Sequence, residues 1–295
     1  METCADIEGD APPEMPERTP PHALRHRHPR PPKHAWLREL GIVLGFYYVY
    51  QTIRSLADVG GVKNRAHANA HWLVSAEKSM FIFHEQSIQQ AFLGATWFIK
   101  VMNVYYGTLH FIITAGLLIW LYAKRHGAYR RLRNLLGATT GLALIGYWAF
   151  PLAPPRLYLQ CDGDIPALGP EGGLVKPDCF VDTLDKIGGL WNYQSSAAKA
   201  IANAYAAMPS LHFGWALWCA IVIWQEVGGR KGRVLAVLYP ALTLFAIVVT
   251  ANHYFLDAVG GAIILAGGLA IVRWSDRRRA AKSAPSPAAA LTPAE

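Results

Sequence analysis

Two histidines, an aspartate and an arginine stand out in a chain that is otherwise strongly apolar. They sit in three short segments: Ala-Pro-Pro-Arg-Leu at 153–157, Ala-Met-Pro-Ser-Leu-His at 207–212 and Asn-His-Tyr-Phe-Leu-Asp at 252–257. His253 and Asp257 are four residues apart at a predicted helix start, so they share a face and can touch. A carboxylate beside one imidazole nitrogen fixes the tautomer and leaves the other nitrogen's lone pair outward. It also stabilises the imidazolium formed after attack, which is what a nucleophilic histidine needs. His212 then suits a general acid that protonates a departing alkoxide. Arg156 offers a planar fork able to grip two phosphate oxygens. The helix starts near 209 and 254 would add backbone N–H groups and dipoles that favour an anion. Taken singly, each histidine reads as an interfacial helix-end residue, and Pro155 and Pro209 as helix boundaries. Together the set describes a phosphate-handling site.

The elements that must position these residues are membrane spans. Of 295 residues, 53% are hydrophobic and 16% charged, below the roughly 25% charge of soluble chains. Six apolar runs approach the roughly 20 residues needed to cross a bilayer: 39–57, 101–123, 132–152, 209–226, 233–251 and 254–273. Lys and Arg cluster before the first run, between the second and third, between the fourth and fifth, and after the sixth. Six spans put all four clusters on one side, the cytoplasm by the positive-inside rule. The three chemical segments then share the outer face of a plasma-membrane protein with both termini inside.

The expected fold is therefore all-α: a polytopic six-transmembrane-helix bundle with a long extracytoplasmic loop over 153–207. Residues 64–93 are helical in pattern but too charged to span, as an amphipathic helix lying on the outer interface would be. Residues 1–36 and 276–295 read as disordered tails around a catalytic domain at 37–275. The opening METCADIEGD lacks the pattern of a secretory signal peptide, so the first span is expected to act as the insertion signal. The net charge of +8 has no basic, aromatic-interleaved stretch to suit nucleic acid. Cys161 and Cys179 fall in the same outer loop, where they could pair or remain free thiols.

At these residues the sequence resembles the type 2 phosphatidic acid phosphatase superfamily, and more closely its branch related to fungal inositol phosphorylceramide synthase. The A-M-P-S-L-H run at 207–212 and the H-Y-x-x-D run at 253–257 carry the resemblance. It implies a six-helix bundle without metal or organic cofactor, and a phosphohistidine on His253. Asp257 would orient that histidine and His212 would serve as the acid. Water or an alcohol would then take the phosphoryl group or phospho-head-group, so hydrolysis and transfer both remain open. The expected partners are a phosphorylated lipid substrate and membrane lipids. The broader superfamily has Lys, six residues, then Arg-Pro; here Ala149 stands at the Lys position and Leu157 follows Arg156. Leu211 replaces a Gly before His212, and Ala246 and Ile247 replace a Ser-Arg before His253. Two basic phosphate ligands are thus missing, which raises the importance of Arg156; Arg54, Arg65, Lys176 and Lys199 stand in reserve.

Asn103, Tyr106 and His110 recur at helical spacing in the second span, either lining a substrate cavity or bonding helices together. Ser210 joins them as a candidate substrate contact. Asp182 and Asp185 read as surface residues. Three other readings compete. His212, His253 and Asp257 could ligate zinc, or the same polar residues could bind a lipid without turnover in a transporter or scaffold. A Ser210–His212 hydrolase is a weaker option, because no G-x-S-x-G elbow is present.

Overall fold

The structure, a computed structural model, describes residues 35–57, 61–161, 179–190 and 205–283. Within them the chain is helical, with no strand and two isolated bridges, Leu152 to Ala206 and Gln160 to Phe180. Helix α1 spans Ala35–Ala57, α2 Val62–Ser79 and α3 Glu85–Leu93. Helix α4, Thr96–Lys124, passes through a π turn at Tyr105–Leu109. Helix α5 spans His126–Ala149, α6 Leu211–Val227, α7 Gly229–Val249 and α8 Phe255–Ser283.

Each predicted apolar run lies largely on one of these helices. Among the described residues, α4, α7 and α8 are long and apolar enough to cross a membrane, and α6 is apolar but shorter. Helix α5 falls short of them because Arg130, Arg131 and Arg133 occupy its early turns. Helix α8 runs past residue 275 to Ser283. Arg, Ala and Lys in that stretch are strong helix formers. Residues 1–34 and 284–295 lie outside the described residues.

The bundle has two unlike ends. At one, Arg125 lies 3.5 Å from Glu226, and Arg133 pairs with Glu39 of α1. Arg230, Lys231 and Arg233 at the start of α7 and Arg277–Arg279 late in α8 belong to the same end. The opposite end gathers the close of α5, the start of α6 and the α7–α8 turn.

Contacts between α6 and its neighbours rely on missing side chains. A Cβ on Gly261 of α8 would lie 2.4 Å from the Ser210 carbonyl oxygen, and one on Gly146 of α5 would lie 2.4 Å from the Pro209 ring. Gly214 of α6 faces the Gly261 carbonyl in turn. Close approach through small residues is how membrane helices associate where lipid offers no hydrophobic drive. Gly261→Ala must displace backbone at the head of α6, at a cost of about 1–3 kcal/mol. We expect a lower unfolding temperature. Gly267→Ala, whose Cβ would meet only the flexible end of Leu142 at 3.0 Å, should be far milder when measured beside it.

The amphipathic helix expected over 64–93 is in fact two helices, broken at Met80–His84 where Phe81 adopts a φ of 57°. Ala66, Ala70, Leu73 and Val74 pack against Leu152, Ala153, Ala207 and Tyr254 at the site end. The other side exposes Trp72, Met80 and Phe81.

Candidate functional site

The α7–α8 turn is held by its own backbone: the N–H groups of Asn252 and His253 both donate to the Ile247 carbonyl, at 3.0 and 3.1 Å. This sets His253 one residue before Tyr254, whose N–H donates to Asp257 Oδ2 at 3.0 Å. The same oxygen lies 3.3 Å from His253 Nδ1. Both side chains are buried, Asp257 completely. With the proton on Nδ1, Nε2 carries the lone pair, and that atom is buried with no partner among the described residues.

Helix α6 delivers the second histidine. Ser210 caps it, its hydroxyl accepting from Phe213 N–H at 3.4 Å, while the Ser210 N–H donates to the Asp257 carbonyl at 2.8 Å. The two helix starts are thereby bonded directly, and the His212 and His253 rings sit 5.6 Å apart. His212 Nε2 is also buried and unpartnered. Tyr106, turned inward by the π turn of α4, stacks on His212 at 4.2 Å and meets His253 edge-on at 6.3 Å. π turns of this kind are frequent at functional sites. His110 lies 5.3 Å from His212 and is tied to the Tyr239 hydroxyl at 2.9 Å.

Arg156 completes the cluster. Its N–H donates to the Ala251 carbonyl, its Nε to Asn252 Oδ1 at 2.9 Å, and its Nη1 to Asp182 Oδ2 at 2.7 Å. The guanidinium is thus docked on Asn252, the residue before His253, and on Asp182, with no described acceptor on Nη2. Asp182 is buried, not the surface residue expected from its loop position. A reciprocal pair between Gln89 and the Val181 backbone, 2.9 Å each way, fixes the segment that carries it.

Two candidates serve other ends. The Asn103 amide donates to the carbonyls of Thr183 and Gly188, both at 2.8 Å, so it tethers the 179–190 segment. Ser210 is fully buried and engaged as a cap, which leaves no free serine nucleophile there. The anion site expected at the start of α8 is also corrected. The N–H groups of Phe255 and Leu256 donate to Glu85 and Glu77, at 2.9 and 2.8 Å. The start of α6 keeps the N–H groups of Leu211 and His212 without a described acceptor. Arg65 is exposed on α2, while Lys176, Lys199 and the Arg54 side chain lie outside the described residues. Among the described residues no three His, Cys, Asp or Glu side chains converge as metal ligands. His212, His253 and Asp257 therefore do not make the zinc donor set considered from sequence.

Cys161 and Cys179 form a disulfide, and Phe180, beside it, bridges back to Gln160. Closing a loop of this size constrains the unfolded chain by about 3 kcal/mol. Replacing both cysteines by serine should lower the unfolding temperature. It should also loosen Asp182, three residues away, and with it Arg156. A reductant titration on the wild type checks the same effect.

Against known proteins, a family model for the PAP2 superfamily matches residues 71–271. No curated protein and no solved structure gives a significant match.

Proposed function

This chain belongs to the PAP2 superfamily, and from that membership we propose a membrane enzyme that transfers a phosphoryl group or phospho-head-group of a lipid through His253. The observation that carries the reading is the pair of buried, unpartnered Nε2 atoms on His212 and His253, beside an arginine docked at Asn252. Buried polar atoms without partners are rare in proteins and mark places where a ligand supplies the missing bonds.

The chemistry runs as a double displacement. The His253 Nε2 lone pair attacks phosphorus, and the bond from phosphorus to the lipid oxygen breaks. Protonated His212 gives its proton to that departing oxygen. The imidazolium formed on His253 keeps its Nδ1–H on Asp257, which compensates the new charge. Arg156 and the open N–H groups at the head of α6 hold the phosphoryl oxygens as charge develops on them. Water or an alcohol then attacks the phosphohistidine, returns a proton to His212 and frees His253. Tyr106 lies against both rings and forms a wall of the substrate cavity, with His110 behind it.

The bundle sits as six spans in the plasma membrane, the basic end cytoplasmic and the site extracytoplasmic. The distribution of Lys and Arg supports this orientation. Transfer to an alcohol, as in the inositol phosphorylceramide synthase branch, is favoured over plain hydrolysis by the A-M-P-S-L-H run at 207–212. The test is detergent-purified protein given a panel of phosphorylated lipids with a chelator present. Free phosphate and transferred head group are both followed. Release of phosphate alone assigns a phosphatase, and head-group transfer assigns a synthase. Activity lost to the chelator would overturn the metal-free route. Lipid binding without turnover would favour a transport or scaffold role.

A further inference from the structure

Helices α2 and α3 bring two carboxyl groups into the protein's interior at the start of α8. Glu77 and Glu85 are both fully buried. In a continuous helix, residues eight apart stand about 12 Å apart along the axis. The break at Met80–His84 folds α3 back, so the two carboxyls reach adjacent backbone N–H groups at the start of α8. Oε1 of Glu77 accepts from Leu256 N–H and Oε1 of Glu85 from Phe255 N–H. Oε2 of each is buried with no donor among the described residues.

We infer that Glu77 and Glu85 share a single proton between their Oε2 atoms, and that this singly charged pair positions His253 and Asp257 for reaction. Ionised carboxylates only accept hydrogen bonds, so two of them would leave both Oε2 atoms unsatisfied and two like charges in contact. One proton between them satisfies both atoms. The remaining negative charge suits the positive end of α8. Burial is the largest influence on Glu77 and raises its carboxyl far above the usual range, with the Glu85 charge adding to it. Burial raises Glu85 as well. The other titratable groups acting on the pair are Asp257 and His84, with Tyr254 alongside.

The positional consequence follows from sequence distance. Phe255 and Leu256 lie between His253 and Asp257, so the pair grips the two peptide units that set their relative angle. Losing the proton makes a dianion beside Asp257 and pushes the first turn of α8 outward. Glu77 and Glu85 are thus positioning residues. Their effect on turnover rests on the proposed reaction, whereas the shared proton does not.

Glu77→Gln tests both parts, because an amide keeps the shape and the donor while removing the proton that titrates. Unfolding temperature in detergent micelles is measured from about pH 6 to 10 on wild type and variant, with no substrate present. A carboxyl whose folded pKa is raised binds its proton more tightly in the folded state. Its contribution is complete below the unfolded pKa and is lost as pH rises through the folded value. The wild type should therefore lose stability with rising pH more steeply than Glu77→Gln. Parallel curves, or stabilisation of the wild type by added calcium, would overturn the shared proton. In turnover assays Glu77→Gln should retain kcat within about threefold at neutral pH and lack the wild type's alkaline decline. Glu77→Ala should lower kcat tenfold or more with little change in KM. A glutamine variant as damaged as the alanine variant would overturn the positioning role. If every lipid fails to turn over while the stability curves diverge as expected, the pair stands and the enzymatic reading falls.

Discussion

Replacing His253 with alanine is expected to reduce turnover by roughly four orders of magnitude or more, on the scale seen when other enzymes lose a nucleophile. The side chain has one hydrogen-bonding contact, to Asp257 at 3.3 Å, and its Nε2 contributes no bond to the fold. Stability should therefore change little by comparison, and protein of unchanged unfolding temperature makes the assay interpretable. Asp257→Asn should cost less, on the order of 10²–10⁴ in kcat, because an amide can hold the wrong imidazole tautomer. Asp257 also accepts the Tyr254 N–H, so this variant should lose some stability too. The measurement is phosphate or head-group release under chelator at saturating lipid. Full activity in His253→Ala would sink the mechanism and turn attention to His110, whose ring also lies beside His212, at 5.3 Å, with a buried, unpartnered Nε2.

Arg156 carries the second large effect. Arg156→Ala should lower kcat/KM by about 10²–10³, comparable to removal of a donor from an oxyanion hole. Arg156→Lys should recover only part of this despite equal charge. The wild-type guanidinium bonds Asn252 through Nε and Asp182 through Nη1 at once, leaving Nη2 for substrate. A single ammonium cannot reproduce that geometry. Asp182→Asn should fall between wild type and Arg156→Ala, because the guanidinium stays near Asn252 but loses its anionic anchor. Wild-type kinetics in Arg156→Lys would remove Arg156 from the site.

The sequence made the grouping of His212, His253 and Asp257 legible because its determinants are local. His253 and Asp257 lie one helical turn apart, and Ser210 and His212 open a helix together. Apolar runs likewise revealed the helices, since that signal depends only on composition along the chain. What stayed hidden was long-range. Asp182 looked solvent-exposed because its partner, Arg156, lies across a loop closed by Cys161 and Cys179. Glu77 and Glu85, with Lys78 between them, looked like the polar face of an interfacial helix. Their acceptor role depends on N–H groups some 170–180 residues downstream, which no periodicity reports. Asn103 lay on the expected polar stripe, yet nothing local distinguished a tether for Thr183 and Gly188 from a substrate contact.

The glutamate clamp also imposes an order on biosynthesis. Helices α2 and α3 leave the ribosome long before α8, carrying two carboxyls whose only described N–H donors do not yet exist. Until α8 arrives, those groups must stay hydrated, so α2 and α3 cannot settle into their final seat. Docking of the last helix is therefore the event that dries the carboxyls and aligns His253 with His212.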